Sequence, residues 1–257
     1  MRPPPTLLIA LLALASCGGG SPKSSTSDST APPSGTITVF AASSLTDAFG
    51  RVGDELTSRY PGTRVTFNFG SSSTLATQIV NGAPADVFAS ADDVNLRKVA
   101  HAGLVEGSAS VFATNRLQIA VAPGNPKRIT SLADLARPDL VVVLAAPSVP
   151  AGAYALEALG KAGVTLIPAS QELDVRAVLN KVALGEADGG IVYVTDVMSA
   201  ARRVTGVDIP EGQQVVARYP VATIRDSRNQ HLSSLFVEFL LGSDGQRALD
   251  SFGFSRP

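Results

Sequence analysis

Three short turns, uncharged and rich in small or hydroxyl residues, have the most readily interpreted chemistry in this sequence. They cover residues 42–44, 70–74 and 147–152, and each follows an apolar run and precedes a helical pattern. The start of a helix exposes unpaired backbone N–H groups at the positive end of the helix dipole. Several such starts around one point would hold an anion without any basic residue, which indicates binding rather than catalysis.

Strand-like and helix-like patterns alternate from about residue 36 onward, which predicts an α/β fold with a largely parallel sheet covered by helices. In the helix after the first turn, Ser44 and Asp47 are spaced as a capping box in which Asp replaces the usual Glu. Asp174 is predicted to cap a later helix. Residues 117–122 are predicted to form a strand, and further strand-like segments flank a proline: 215–218 and 221–224.

The N-terminal part of the chain has the composition of an export signal followed by a tether. The apolar run 7–15 is too short to span a bilayer comfortably, and it ends in Leu-Ala-Ser-Cys, which resembles a bacterial lipobox. We therefore predict a signal peptide over residues 1–16 and a lipidated Cys17, followed by a flexible tether to residue 35. The protein is expected to be extracytoplasmic and anchored to the cell membrane. An ordinary export signal with an incidental cysteine is the alternative.

The charge and the motifs that are missing exclude several classes of function. The formal net charge of the 257 residues is −1, and about −2 once residues 1–16 with their single arginine are removed, so nothing favours nucleic acid as a partner. His101 and His231 stand far apart with no ligand-spaced neighbours, so neither a metal centre nor a cofactor is expected. Gly-x-Ser-x-Gly and Ser-x-x-Lys motifs are absent, so a serine hydrolase is only a second alternative.

Seven short segments, in order along the chain, carry a family resemblance: 37–46, 71–76, 82–88, 149–152, 174–176, 190–193 and 219–222. They resemble the periplasmic molybdate-binding proteins of ABC transporters, over essentially the whole region from Thr36 to Pro257. The resemblance implies a periplasmic-binding-protein type II-like fold, in which two α/β lobes are joined by a two-crossing hinge and the ligand lies in the cleft. Lobe one would comprise residues 36–114 and 220–257, and lobe two residues 115–219.

The resemblance also implies the residues that contact the ligand. Hydroxyl and backbone N–H groups would come from two serines, backbone N–H groups from two apolar residues, and a phenol from one tyrosine: Ser44, Ser72, Ala151, Val175 and Tyr193. Ser43 stands where many relatives have alanine. The implied function is high-affinity capture of molybdate, and of tungstate, and its delivery to an ABC transporter permease by a monomer that is not an enzyme.

A tetrahedral dianion has acceptor oxygens on every side, so a shell made of donors suits it. Sulfate, phosphate or a chelated ferric ion are the other ligands to consider. Phosphate can carry a proton and benefits from an acceptor carboxylate, which none of the five positions offers. Iron receptors favour several tyrosines, so molybdate is the better prediction. Arg176, inside one of the seven segments, is predicted to form a surface or inter-lobe ion pair instead of a ligand contact.

Overall fold

Nine strands and eight α-helices alternate along residues 32–257, the part of the chain that the computed structural model describes. The strands are β1 Gly35–Ala42, β2 Thr63–Gly70, β3 Val87–Ala89, β4 Val105–Val121, β5 Val142–Ala145, β6 Ser170–Glu172, β7 Gly189–Tyr193, β8 Thr205–Asp208 and β9 Val216–Ile224. The helices are α1 Thr46–Arg59, α2 Ser72–Val80, α3 Asp93–His101, α4 Pro150–Lys161, α5 Val175–Ala183, α6 Val194–Ser199, α7 Gln230–Leu241 and α8 Ser243–Ser251. The predicted signal peptide, Cys17 and most of the predicted tether lie outside the described residues.

All nine strands belong to one mixed sheet with the order β2-β1-β3-β9-β4-β7-β5-β6, and β8 also pairs with β4. Pairing is parallel on both sides of β1 and on both sides of β5. The other pairings, which all involve β4 or β9, are antiparallel. The predicted α/β fold is confirmed, but the largely parallel sheet holds only for the two outer parts, because β4 and β9 run between them in opposite directions.

Strand β4 is the longest element of the sheet, with 17 residues. The strand predicted over 117–122 is its second half, which pairs with β7 and β8. Its first half pairs with β9 from Val105 onward. The prediction missed that half because several of its side chains are exposed and polar, so the apolar pattern starts late. The two segments predicted around Pro220 are one strand, β9, and the pairing of β4 and β9 shifts register next to Pro220, which has no N–H to donate.

Aromatic side chains fill the space between the sheet and helices α1 and α7. The Phe49 ring lies 5.7 Å from Phe112 and 5.8 Å from Phe236, measured between centroids. The Phe112 ring lies 6.2 Å from the Tyr219 ring, which in turn lies 5.9 Å from the Tyr193 ring. Each contact is tilted or edge-to-face, the geometry that aromatic rings prefer. The aromatic core therefore extends to Tyr193, which lines the cavity described below. In residues 32–257 we found no helix with the length and apolar character needed to cross a bilayer.

Candidate functional site

All five residues predicted to contact a ligand line one small cavity. The lining comprises Ala42, Ser43, Ser44, Gly70, Ser71, Ser72, Ala91, Val149, Pro150, Ala151, Val175 and Tyr193. None of these side chains is charged. The segments come from positions as far apart as 42 and 193, so the cavity exists only in the folded chain.

Helix starts surround the cavity. Ser71 and Asp174 cap α2 and α5 through side-chain oxygens that accept backbone N–H groups at 3.2 and 3.0 Å, which confirms the cap predicted at Asp174. Helix α4 begins with Pro150, which suits the first helical position because its missing N–H would be unpaired there anyway. The backbone N–H of Ala151, the second residue, is therefore the first that α4 offers. In α5 the first N–H is that of Val175, the first residue of the helix. Such N–H groups favour a bound anion.

The hydroxyl of Ser72 has its oxygen occupied and its proton available. The Ser72 Oγ accepts a hydrogen bond from the backbone N–H of Ala91 at 2.9 Å, and the side chain is fully buried. A serine hydroxyl carries a single proton, and that bond does not use it. Ser72 can therefore donate into the cavity that it lines.

The Ser44 hydroxyl is paired with a residue distant in sequence. Its Oγ lies 2.9 Å from the phenol oxygen of Tyr219, and both residues are buried. The capping box predicted for Ser44 and Asp47 is wrong: α1 begins without a side-chain cap, after a 3-10 turn formed by Ser43–Leu45. The local spacing was right for a cap, but the tertiary contact with Tyr219 takes the hydroxyl.

The phenol of Tyr193 is buried against the cavity. Tyr193 is 1% exposed, and its hydroxyl finds no hydrogen-bond partner among residues 32–257. Burial raises the pKa of this phenol well above its usual value, so the group stays protonated and can donate. A buried polar group with no partner costs about 1–3 kcal/mol. A ligand that accepts from Tyr193 would remove this cost.

Arg176 joins two helices beside the cavity. Its guanidinium lies 2.7 Å from a carboxylate oxygen of Asp47 in α1 and 2.8 Å from one of Asp196 in α6. Arg176 is not part of the cavity lining, and the predicted ion pair is confirmed. Asp196 is fully buried, and this burial raises its pKa to about 6, although Arg176 and the N–H of Tyr193 lower it in part.

The buried Asp196 carboxylate should make stability depend on pH. A carboxyl whose pKa is higher in the folded state than in the unfolded state favours folding at low pH, and this contribution is lost as the pH rises through about 6. Asp196→Asn removes the charge and keeps one acceptor oxygen for the N–H of Tyr193. Between pH 5 and 8, we expect the wild type to lose about 1 kcal/mol of unfolding free energy relative to this variant. Parallel pH profiles from urea titrations would contradict the assignment.

The sequence motifs did not single out every residue that shapes the cavity. Ser71 caps helix α2, the N–H of Ala91 holds the Ser72 hydroxyl, and Tyr219 holds the Ser44 hydroxyl. Tyr219 stands in the last of the seven segments. Its complete burial, which points to a role in the site, is visible only in the tertiary structure. Ser43 also lines the cavity, beside Ser44.

Comparison with known proteins gives the family of this chain. The family described as bacterial extracellular solute-binding protein matches residues 37–255. The chain belongs to the bacterial extracellular solute-binding proteins. The molybdate-binding protein ModA of Mycobacterium tuberculosis is 47% identical over 221 residues, which are 86% of this chain and 85% of that protein. The resemblance drawn from the seven segments is therefore confirmed, and this solute-binding protein is a member of a family of binding proteins, not of enzymes.

Other relatives of this solute-binding protein include the putative ABC transporter substrate-binding lipoprotein YvgL of Bacillus subtilis, 28% identical over 86% of each chain. Among solved structures, the periplasmic molybdate-binding protein of Azotobacter vinelandii aligns with a TM-score of 0.76 and 20% identity, over 86% of this chain and 99% of that one. The sulfate-binding protein SubI of Mycobacterium tuberculosis aligns with a TM-score of 0.77 and 19% identity, over 86% of each chain. These two structures share the fold.

Proposed function

We propose that this protein captures molybdate, and tungstate, outside the cytoplasm and delivers it to an ABC transporter permease. The observation that carries the proposal is the uncharged cavity, with several helix starts directed at it and a buried phenol that has no partner within residues 32–257. The identity with the molybdate-binding protein of Mycobacterium tuberculosis supports the choice of ligand.

We infer that five residues donate hydrogen bonds to the oxyanion: Ser44, Ser72, Ala151, Val175 and Tyr193. Hydrogen bonds to a charged group contribute about 1.5–3 kcal/mol each, so a shell of neutral donors can hold a dianion firmly. Such a shell also avoids the cost of burying Arg or Lys at the site. The oxygens of Ser44 and Ser72 already have partners, so the two hydroxyls offer little to a ligand that must itself donate a proton. This disfavours monohydrogen phosphate.

Calorimetric titration of the mature protein with molybdate, tungstate and sulfate tests the ligand. Tungstate is nearly the size of molybdate and is expected to bind comparably. Sulfate is smaller, so donors fixed by helix starts around the larger ion cannot all reach its oxygens, and we expect it to bind at least about tenfold more weakly. Displacement of molybdate by sulfate or phosphate at equal concentration would make the protein a general oxyanion receptor.

The two-lobe arrangement is part of the same proposal. Lobe one would comprise residues 36–114 and 220–257, lobe two residues 115–219, with the hinge where β4 and β9 cross between them. The register shift between these strands next to Pro220 supports a hinge there, since a few residues can absorb the dihedral change of domain closure. A ligand caught by Ser44 and Ser72 would then meet Ala151, Val175 and Tyr193 on closure.

The membrane anchor is proposed from the lipobox-like segment that ends at Cys17. The family description, bacterial extracellular solute-binding protein, supports a position outside the cell, and the description of YvgL as a lipoprotein supports a lipid anchor here. Cys17→Ala is expected to release the protein from the membrane fraction while molybdate affinity stays unchanged, because Cys17 lies far in sequence from every cavity residue. The fractions are compared by immunoblot after detergent-free washing. A variant that remains with the membranes would contradict the anchor.

A further inference from the structure

Tyr219 lies behind the cavity and has no place among the five proposed donors. It is completely buried in β9, between the rings of Phe112 and Phe254 and edge-to-face with Tyr193 at 5.9 Å. Its phenol oxygen lies 2.9 Å from the Ser44 Oγ. Either oxygen could donate in this pair, so the direction of the hydrogen bond has to come from the neighbouring groups.

Asn115, in β4, favours one of the two directions. Its Oδ1 accepts from the backbone N–H of Arg116 at 2.9 Å, which fixes the orientation of the side-chain amide. The amide nitrogen donates to the Thr195 Oγ1 at 2.8 Å, and Asn115 also lowers the pKa of the Tyr219 phenol, which burial raises more strongly. Because Oδ1 already accepts from Arg116, the group that Asn115 has left to offer the phenol is an amide N–H, which favours a Tyr219 hydroxyl that directs its own proton to Ser44.

Counting protons then orients the rest of the chain of hydrogen bonds. A phenol and a serine hydroxyl each have one proton. A Ser44 hydroxyl that donates to a bound oxyanion has no second proton, so the proton in its 2.9 Å hydrogen bond with Tyr219 has to come from the Tyr219 phenol. The proton of Ser44 is left for the cavity that Ser44 lines. The opposite direction would turn an oxygen lone pair of Ser44 toward a bound anion, which is repulsive.

We propose that Tyr219 is a positioning residue that orients the Ser44 hydroxyl, so that Ser44 donates to a bound oxyanion and does not accept from it. This inference rests on the proposed function, because it assigns a role to Tyr219 in the same site. It also makes Ser44 selective for a fully deprotonated oxyanion, since the Ser44 oxygen is occupied by the proton of Tyr219.

A double-mutant cycle measures this role. Tyr219→Phe keeps the ring packing and is expected to weaken molybdate binding about tenfold, and Ser44→Ala about tenfold or more. The double variant is expected to bind almost as well as Ser44→Ala alone, because Tyr219 acts through Ser44. Ser72→Ala combined with Tyr219→Phe is the matched control. Ser72 is held by Ala91 instead, so in the control the two losses should multiply.

The proposal would be overturned if the losses of affinity from Tyr219→Phe and Ser44→Ala multiplied in the double variant, as they are expected to do for Tyr219→Phe and Ser72→Ala. A merely structural role for Tyr219 would affect both serines alike. Thermal unfolding of each ligand-free variant shows whether it is folded. If Tyr219→Phe does not fold, the cycle is measured with Asn115→Ala and Ser44→Ala, where independent losses would overturn it equally. If the wild type binds sulfate instead of molybdate, the proposed function fails, and the same cycle measured with sulfate still decides the role of Tyr219.

Discussion

Replacement of Gly152 by alanine is expected to lower the free energy of unfolding by about 3 kcal/mol and to weaken molybdate binding at least about tenfold. Gly152 lies in the first turn of α4, where a Cβ atom would overlap the carbonyl oxygens of Ala145 and Ala146. These are backbone atoms at and just after the end of β5, so they cannot rotate away. Helix α4 must move, and the N–H of Ala151 is carried out of the cavity with it.

Gly160, in the same helix, provides the matched control. A Cβ atom at Gly160 would meet nothing within 4 Å. Gly160→Ala should therefore stabilise the protein by about 0.5–1 kcal/mol, as alanine does inside a helix, and leave the affinity unchanged. Urea titration and calorimetry measure the two quantities for both variants. Similar stabilities for the two alanine variants would show that the start of α4 is not fixed by its contact with β5.

Tyr193→Phe is expected to weaken molybdate binding about ten- to a hundredfold, without destabilising the ligand-free protein. The Tyr193 phenol is buried and finds no partner among the described residues, so its removal deletes a donor that only a ligand would use. The stability of the ligand-free protein should stay equal or rise by about 1 kcal/mol, because the cost of burying an unpaired hydroxyl disappears. A purely structural tyrosine would lose stability when its hydroxyl is removed.

The combination of lower affinity with unchanged or higher stability is what identifies Tyr193 as a ligand contact. Tyr60→Phe removes the same atom from a partly exposed ring at the end of α1 and does not touch the cavity lining, so its affinity should match that of the wild type. Calorimetry with molybdate and urea titration without it give both readouts. Wild-type affinity in Tyr193→Phe would exclude the phenol from the site.

The start of helix α5 was predictable because it depends on neighbouring residues, whereas the cap predicted for α1 was wrong. The cap at Asp174 follows from a polar side chain placed just before an apolar helical pattern. The predicted strands also reappear, since alternation of strand and helix is visible along the chain. Helix α8 and strand β6 were not predicted: α8 is mostly polar and directly follows α7, and β6 has only three residues. Such elements acquire their structure from neighbours, not from their own pattern.

The sequence by itself determined the α/β class and the family, and its seven segments indicated the five proposed donors. These depend on local patterns and on motifs that can be read along the chain. Only the tertiary structure decided that Ser44 pairs with Tyr219, 175 residues away, instead of capping α1. It also decided that Gly152 packs against β5 and that the buried Tyr193 phenol has no partner in the part of the chain that the structure describes. The physical reason is that a hydroxyl bonds to whichever group folding brings within about 3 Å, and local spacing does not encode that neighbour.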